Sequence, residues 1–150
     1  RAAARAGTED TTARTRRVVG TYGYMSPEYA MDGIFSIKSD VFSFGVLVLE
    51  IVSGQRTKAV FLSEEDNLLR KAWRLWSNGR GLELIDPSIG SDYSKAEVIK
   101  CIKIGLLCVQ ENPRARPKMS SVVHMLSDDE DASVFEPQQP GFTARRDISC

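Results

Sequence analysis

Nowhere in the 150 residues is there a run of 18 or more apolar residues, so the sequence offers no membrane-spanning helix. Its opening stretch, RAAARAGTED, lacks the apolar centre of a secretory signal, and the chain reads as soluble. An excess of one charge is missing too. Lys and Arg total 20 and Asp and Glu total 20, so nothing draws the chain to nucleic acid or to an anionic membrane, and neither is expected as a partner. Histidine occurs once, at His124, and cysteine three times, at Cys101, Cys108 and Cys150. Without a CxxC pair or a Cys/His grouping no metal site is expected. Cys101 and Cys108 fall in one expected helix, roughly 10.5 Å apart along its axis, beyond the roughly 7 Å reach of a disulfide. The cysteines therefore read as thiols of a reducing compartment. Strand-like alternation of useful length and internal repeats are also absent.

What is present describes one mainly helical domain, with enough apolar side chains, 42% of the total, to bury a core. Residues 1–25 are polar, basic and rich in Thr, without periodicity, and are expected to be mobile. Helices occupy 26–127. Residues 128–150 open with the acidic run DDED, continue rich in Pro and Gln, and are expected to be disordered. The segment SIKSDVFSFGVLVLEIVSG predicts a helix with an N-cap at Ser36 and a stop at Gly54. Its apolar residues fall on nearly every face, which predicts a helix surrounded by protein. NLLRKAWRLWSNG predicts an amphipathic helix with Leu69, Trp73 and Trp76 on its apolar stripe. After the turn at Asp86-Pro87, SKAEVIKCIKIGLLCVQ opens with a capping box, Ser94 and Glu97, and places Val98, Ile102, Gly105 and Leu106 at helical spacing. Asn112-Pro113 ends that helix. Pro117 suits the first turn of the next, which runs through Val122, Val123 and Leu126; His124 sits there in a structural setting.

One stretch fits neither helix nor strand: TRRVVGTYGYMSPEYA, Thr15 to Ala30. Its GTYGYMSPEY, followed by KSDVFSFGVLVLEIVSG and then by NPRARPKM, closely resembles the C-terminal lobe of eukaryotic protein kinases. The nearest match is the plant receptor-like Ser/Thr kinases with lectin-type or cysteine-rich ectodomains, and the resemblance covers about residues 8–127. It implies a partial kinase C-lobe, from the activation segment through the last helices, with no N-terminal β lobe.

The resemblance also implies roles. Ser26-Pro27-Glu28 matches the Ala-Pro-Glu signature that closes the activation segment, and Glu28 would form a buried ion pair with Arg116 of RARP, 88 positions further on. The plainer alternative leaves Glu28 as an acidic residue in the first turn of a helix. Asp40 matches the residue that accepts hydrogen bonds from the catalytic-loop backbone; its alternative is simple attraction to a helix N-terminus. Two residues on, where many kinases have Trp, stands Phe42. Gly20, Thr21, Tyr22, Gly23 and Tyr24 match the loop that receives the substrate chain, where Thr21 would mark Ser/Thr specificity and the glycines would let backbone approach backbone. Thr8, Thr11, Thr12 and Thr15, Thr15 foremost, lie where phosphorylation would order the segment; each reads equally well as a solvated Thr.

The machinery of phosphoryl transfer is another matter. The sequence holds no GxGxxG, no HRD and no DFG, so no catalytic residue is assigned and neither ATP nor Mg is expected on this chain; both are implied for a complete kinase. Two readings follow. Either the chain is part of a receptor-like Ser/Thr kinase, inactive alone and working at the cytoplasmic face of the plasma membrane, or it is a catalytically empty lobe that binds protein substrates or other kinases.

Overall fold

The computed structural model describes residues 12–15, 24–56, 67–127, 136–138 and 140. Within the stretch 1–25, which lacks any periodic signal, Ala13–Arg14 forms a short strand, β1. It pairs antiparallel with β2, Ile34–Phe35, with Ala13 opposite Phe35 and Arg14 opposite Ile34. Between them lies α1, Pro27–Asp32, whose start is set by the Ser26 hydroxyl accepting from the Tyr29 N–H and by a proline in the first turn. It ends at Gly33, φ 67°, a left-handed conformation that glycine takes without cost. Space demands glycine as well, because a Cβ there would collide with the carbonyl oxygen of Thr15, whose N–H donates to the Gly33 carbonyl at 2.8 Å.

Helix α2, Ile37–Ser53, starts at Ser36 and stops at Gly54, as its capping residues predict. The start is a reciprocal box: the Ser36 hydroxyl accepts from the Lys38 N–H and the Ser36 N–H donates to the Ser39 hydroxyl at 3.0 Å. The expectation that protein surrounds α2 is corrected. Val41, Phe42, Val46 and Leu49 are buried, but Ile37, Leu47 and Ile51 are 64%, 46% and 68% exposed. With Asp40 these lie on one side of the helix and form an open stripe, in line with Phe44, which is half-buried against the core. An all-apolar composition could not say which side would find a partner.

More enclosed is the C-terminal half of α4, Lys95–Cys108: burial is uninterrupted from Ile102 through Cys108 and continues to Gln110 beyond the helix, while Lys95–Glu97 are exposed. One of its sides packs on α2 and on α3, Leu68–Ser77, through Ile102 and Leu106; the other packs Ile104, Leu107 and Cys108 on Val41 and on α5, Met119–Leu126. Each such fully buried aliphatic side chain contributes about 1.5–3 kcal/mol. Helices α2 and α4 approach closely because glycines face across the contact: a Cβ on Gly45 would lie 2.6 Å from the Cys108 Cβ and 2.8 Å from the Gly105 carbonyl oxygen.

Smaller differences have local causes. On α3 the buried residues are Leu68, Leu69, Ala72 and Leu75, while Trp73 and Trp76 pack half-buried at the margin. At α4 only half of the expected box forms, the Ser94 hydroxyl accepting from the Glu97 N–H at 3.3 Å. Pro117 stands before Lys118, the N-cap of α5, and so outside its first turn. His124 is exposed on α5. Of the stretch 128–150, expected to be disordered, Glu136–Gln138 and Pro140 are described; they lie against the helical body at Lys103 and Gln110, with Pro137 and Pro140 buried, and the rest lies outside the described residues. Among the described residues no helix is long and apolar enough to cross a membrane.

Candidate functional site

Arg116 is the largest fully buried side chain among the described residues, and its surroundings explain how a cation tolerates that position. Its guanidinium has five N–H donors, and all five are used. Nη1 and Nη2 donate to Glu28 Oε2 and Oε1 at 2.7 and 2.8 Å, a two-pronged pair. Nε donates to the Gln110 carbonyl at 2.7 Å, Nη1 also to that of Lys38 at 3.0 Å, and Nη2 also to that of Glu111 at 3.1 Å. The plane lies 4.9 Å from the centre of the Phe42 ring, which faces the cation with its electron-rich side. Phe42 thus does more at this point than supply apolar bulk.

The carboxylate partner is held as firmly. Pro27 and the Ser26 cap set Glu28 in the first turn of α1, where a carboxylate is favoured. Both readings of Glu28 therefore hold together. Its oxygen Oε2 also accepts from the Ser39 hydroxyl at 3.0 Å, so the residue that completes the α2 cap belongs to the pair as well. Burial alone would push the Glu28 carboxyl up, but the hydrogen bonds and charge of Arg116, with help from Ser39, outweigh it and hold the group below its usual range. Lys38 closes the underside by donating to the Arg116 carbonyl. Burial, followed by the neighbouring Lys118 and Arg116, pulls its ammonium below the usual lysine range.

A second pair of contacts pins the chain just before α1. The Tyr24 hydroxyl donates to Glu50 Oε1 at 2.6 Å, and the Ser43 hydroxyl donates to the Tyr24 carbonyl at 2.6 Å. The bond to Glu50, then burial, raises the Tyr24 phenol above its usual value. Tyr24 is thereby fastened to α2 through both its backbone and its side chain.

The remaining expected site residues distribute as follows. Gly20, Thr21, Tyr22, Gly23, Thr8 and Thr11 lie outside the described residues. Thr12 is exposed and Thr15 half-buried beside β2. Asp40 is exposed in the first turn of α2, with no hydrogen-bond donor among the described residues. Its place in the first turn of α2 is one where the helix N-terminus favours a carboxylate. Sequence reasoning missed Ser39, Lys38, Gln110 and the Tyr24–Glu50 contact. The Ser36/Ser39 spacing carried a usable signal, whereas Gln110 and Glu50 carry none, since their partners are distant in the chain.

The two described cysteines, Cys101 and Cys108, are both thiols. Burial pushes the Cys108 thiol up to about 12, and burial with Glu97 nearby raises Cys101. Among the described residues no group of three or more His, Cys, Asp or Glu could hold a metal ion. The arrangement is an anchor that joins a loop to a helical body.

Comparison with known proteins agrees with this arrangement. The family model described as protein tyrosine and serine/threonine kinase matches residues 3–126. Receptor-like serine/threonine-protein kinase SD1-7 of Arabidopsis thaliana is 57% identical over 145 residues, covering 93% of this chain and 17% of that protein. Cysteine-rich receptor-like protein kinase 19 from the same plant is 57% identical over 141 residues, covering 93% and 22%. G-type lectin S-receptor-like serine/threonine-protein kinase SRK, also from Arabidopsis thaliana, is 56% identical over 145 residues, covering 92% and 17%. The chain thus spans about a fifth of the length of the curated relatives it matches. Its helical body, two-residue strands and anchored loop are a partial kinase C-lobe, and the chain belongs to the protein tyrosine and serine/threonine kinase family.

Proposed function

We propose that this chain is the C-terminal part of the catalytic domain of a receptor-like serine/threonine kinase, and that the complete protein transfers the ATP γ-phosphoryl group to Ser or Thr hydroxyls of other proteins. The observation that carries this reading is the two-pronged pair of Arg116 with Glu28, which ties Ser-Pro-Glu to RARP and holds the end of an irregular loop against the helices. In this reading Gly20, Thr21, Tyr22, Gly23 and Tyr24 receive the substrate chain. Thr15, with Thr12, Thr11 and Thr8, accepts the activating phosphate. Asp40 takes hydrogen bonds from a catalytic-loop backbone. The open stripe of α2 supports this: Asp40 stands in line with the exposed Ile37, Leu47 and Ile51, an apolar surface of the kind that marks an interface.

Protein kinases use ATP and Mg, and the residues here do not fit either. The sequence holds no Gly-rich phosphate loop, no HRD and no DFG, and no metal-binding group occurs among the described residues. The chain's own part is positional: it would present a substrate and secure the loop that does so. As the intracellular part of a receptor it would work at the cytoplasmic face of the plasma membrane.

The same open stripe favours a second reading, a catalytically empty lobe that docks on other kinases or their substrates. The reading frame immediately 5′ of Arg1 separates the two. We expect it to encode HRD and DFG in frame, and the joined product to phosphorylate a general protein substrate in Mg-ATP while residues 1–150 alone stay at background. A stop codon or an unrelated sequence in that frame would refute the first reading and leave the second.

A further inference from the structure

Lys103 is out of place on its helix. It lies in the uninterrupted buried part of α4, between Ile102 and Ile104, and the whole residue is only 7% exposed. Gln110, at the end of that stretch, is 4% exposed. Buried polar groups of this kind need partners, and both find one in the tail. Lys103 Nζ lies 3.5 Å from Glu136 Oε1. The Gln110 carboxamide uses both N–H groups of Nε2, one on the Leu106 carbonyl and one on the Gln138 carbonyl, each at 2.8 Å. Gln110 also forms an isolated antiparallel bridge with Pro140.

The spacing and composition of the segment suit this surface. From Lys103 to Cys108, its last residue, α4 advances roughly 7.5 Å; Gln110 follows two residues beyond the helix, and a strand-like chain of the length of Glu136 to Pro140 covers roughly 13 Å. Pro137 and Pro140 are both buried. Proline has no N–H to strand on burial, and its fixed φ keeps the free segment close to the bound form. A lysine for an acid, an amide donor for a backbone carbonyl and room for two prolines make up a reader of extended peptides.

We propose that the α4 edge from Lys103 to Gln110 is a docking site for an extended Glu-Pro-Gln-x-Pro segment, occupied in cis by Glu136–Gln138 and Pro140 of the same chain. The consequence reaches the anchor. The Gln110 carbonyl accepts from Arg116 Nε, so one residue holds the strap with its side chain and the Arg116–Glu28 pair with its backbone. A docked strap braces the position on which Arg116 depends.

The test uses the whole 150-residue chain and a fluorescein-labelled synthetic peptide of residues 133–142, read by anisotropy. In a variant carrying Pro137→Ser and Pro140→Ser the tethered strap is loosened. The peptide should bind this variant at least about tenfold more tightly than the unmutated chain, whose own segment competes at the millimolar effective concentration of a short tether. Adding Gln110→Leu to the loosened variant should abolish binding. If that protein does not fold, as judged by circular dichroism, Lys103→Met in the same background should still weaken binding severalfold. Equal binding to the loosened and unmutated chains, or none to the loosened one, overturns the proposal. An unmutated chain that is dimeric by size-exclusion with light scattering, and monomeric once loosened, overturns the cis assignment and gives the site to a second copy.

Discussion

Replacing Arg116 by alanine removes five hydrogen bonds at once and leaves the Glu28 carboxylate, only 13% exposed, facing a cavity. The carbonyls of Gln110, Lys38 and Glu111 lose their donor as well. Loss of one partner of a buried pair costs about 3–5 kcal/mol because the other charge is stranded. That is a large part of the roughly 5–15 kcal/mol that holds a domain together. Glu28→Ala should fall in the same range for a different reason. The Arg116 side chain is 0% exposed and would lose its carboxylate partner, but it keeps three carbonyl acceptors and the Phe42 ring. Since each single change strands a charge that the double change removes, the double variant should recover part of the sum, with a coupling toward the upper end of the roughly 0.5–3 kcal/mol found for contacting residues. Arg116→Lys should restore little, because an ammonium cannot grip both carboxylate oxygens and three carbonyls. Thermal and urea unfolding at pH 7, followed by circular dichroism, give the three differences. Losses that add within about 0.5 kcal/mol would mean that the two residues do not act as a pair and would refute the reasoning.

The same pair should make the fold acid-sensitive. The Glu28 carboxyl titrates lower when folded than when unfolded, so its contribution is complete above the ordinary glutamate value of about 4.5 and is lost as pH falls through the lowered folded value. The stability gap between the unmutated chain and Glu28→Gln should therefore narrow between pH 7 and pH 3; a gap of constant size would contradict the assignment. Gly45→Ala should overpack the α2–α4 contact, where the added Cβ meets Cys108, the Gly105 carbonyl and Val109 at 2.6–2.8 Å, and cost about 1–3 kcal/mol. That is a drop in Tm of about 2–4 °C for each kcal/mol, and an unchanged melting curve would mean that the helices can move apart freely. Of the two helix cysteines, Cys101 should be alkylated by iodoacetamide at pH 8 well before Cys108, whose thiol is buried and pushed up to about 12. Mass spectrometry of the native chain reads the order, and prior loss of Cys108 would show that α4 opens.

What the sequence determined by itself is whatever depends on near neighbours. The caps at Ser36, Asn67, Ser94 and Asn112 are bonds from a side chain to a backbone N–H two or three residues on, so the residue and its position settle them before any tertiary contact forms. Gly54 ends α2 for the same reason, through a left-handed turn that few other residues accept. The kinase motifs were legible because they are short strings at set spacing, and they named Glu28 and Arg116 before either could be seen to touch. Tertiary structure alone decided which apolar helix would be enclosed. Helices α2 and α4 are both rich in apolar residues, and burial depends on what packs against each face, so the C-terminal half of α4 is covered while α2 keeps an open stripe. It decided that Asp40 meets water and that Phe42 lies under a guanidinium. It also decided that Lys103 and Gln110 are answered by residues some 30 positions away. Distant pairings of this kind leave no trace in local pattern, because only the folded chain sets which carbonyl or carboxylate lies within reach of a buried donor.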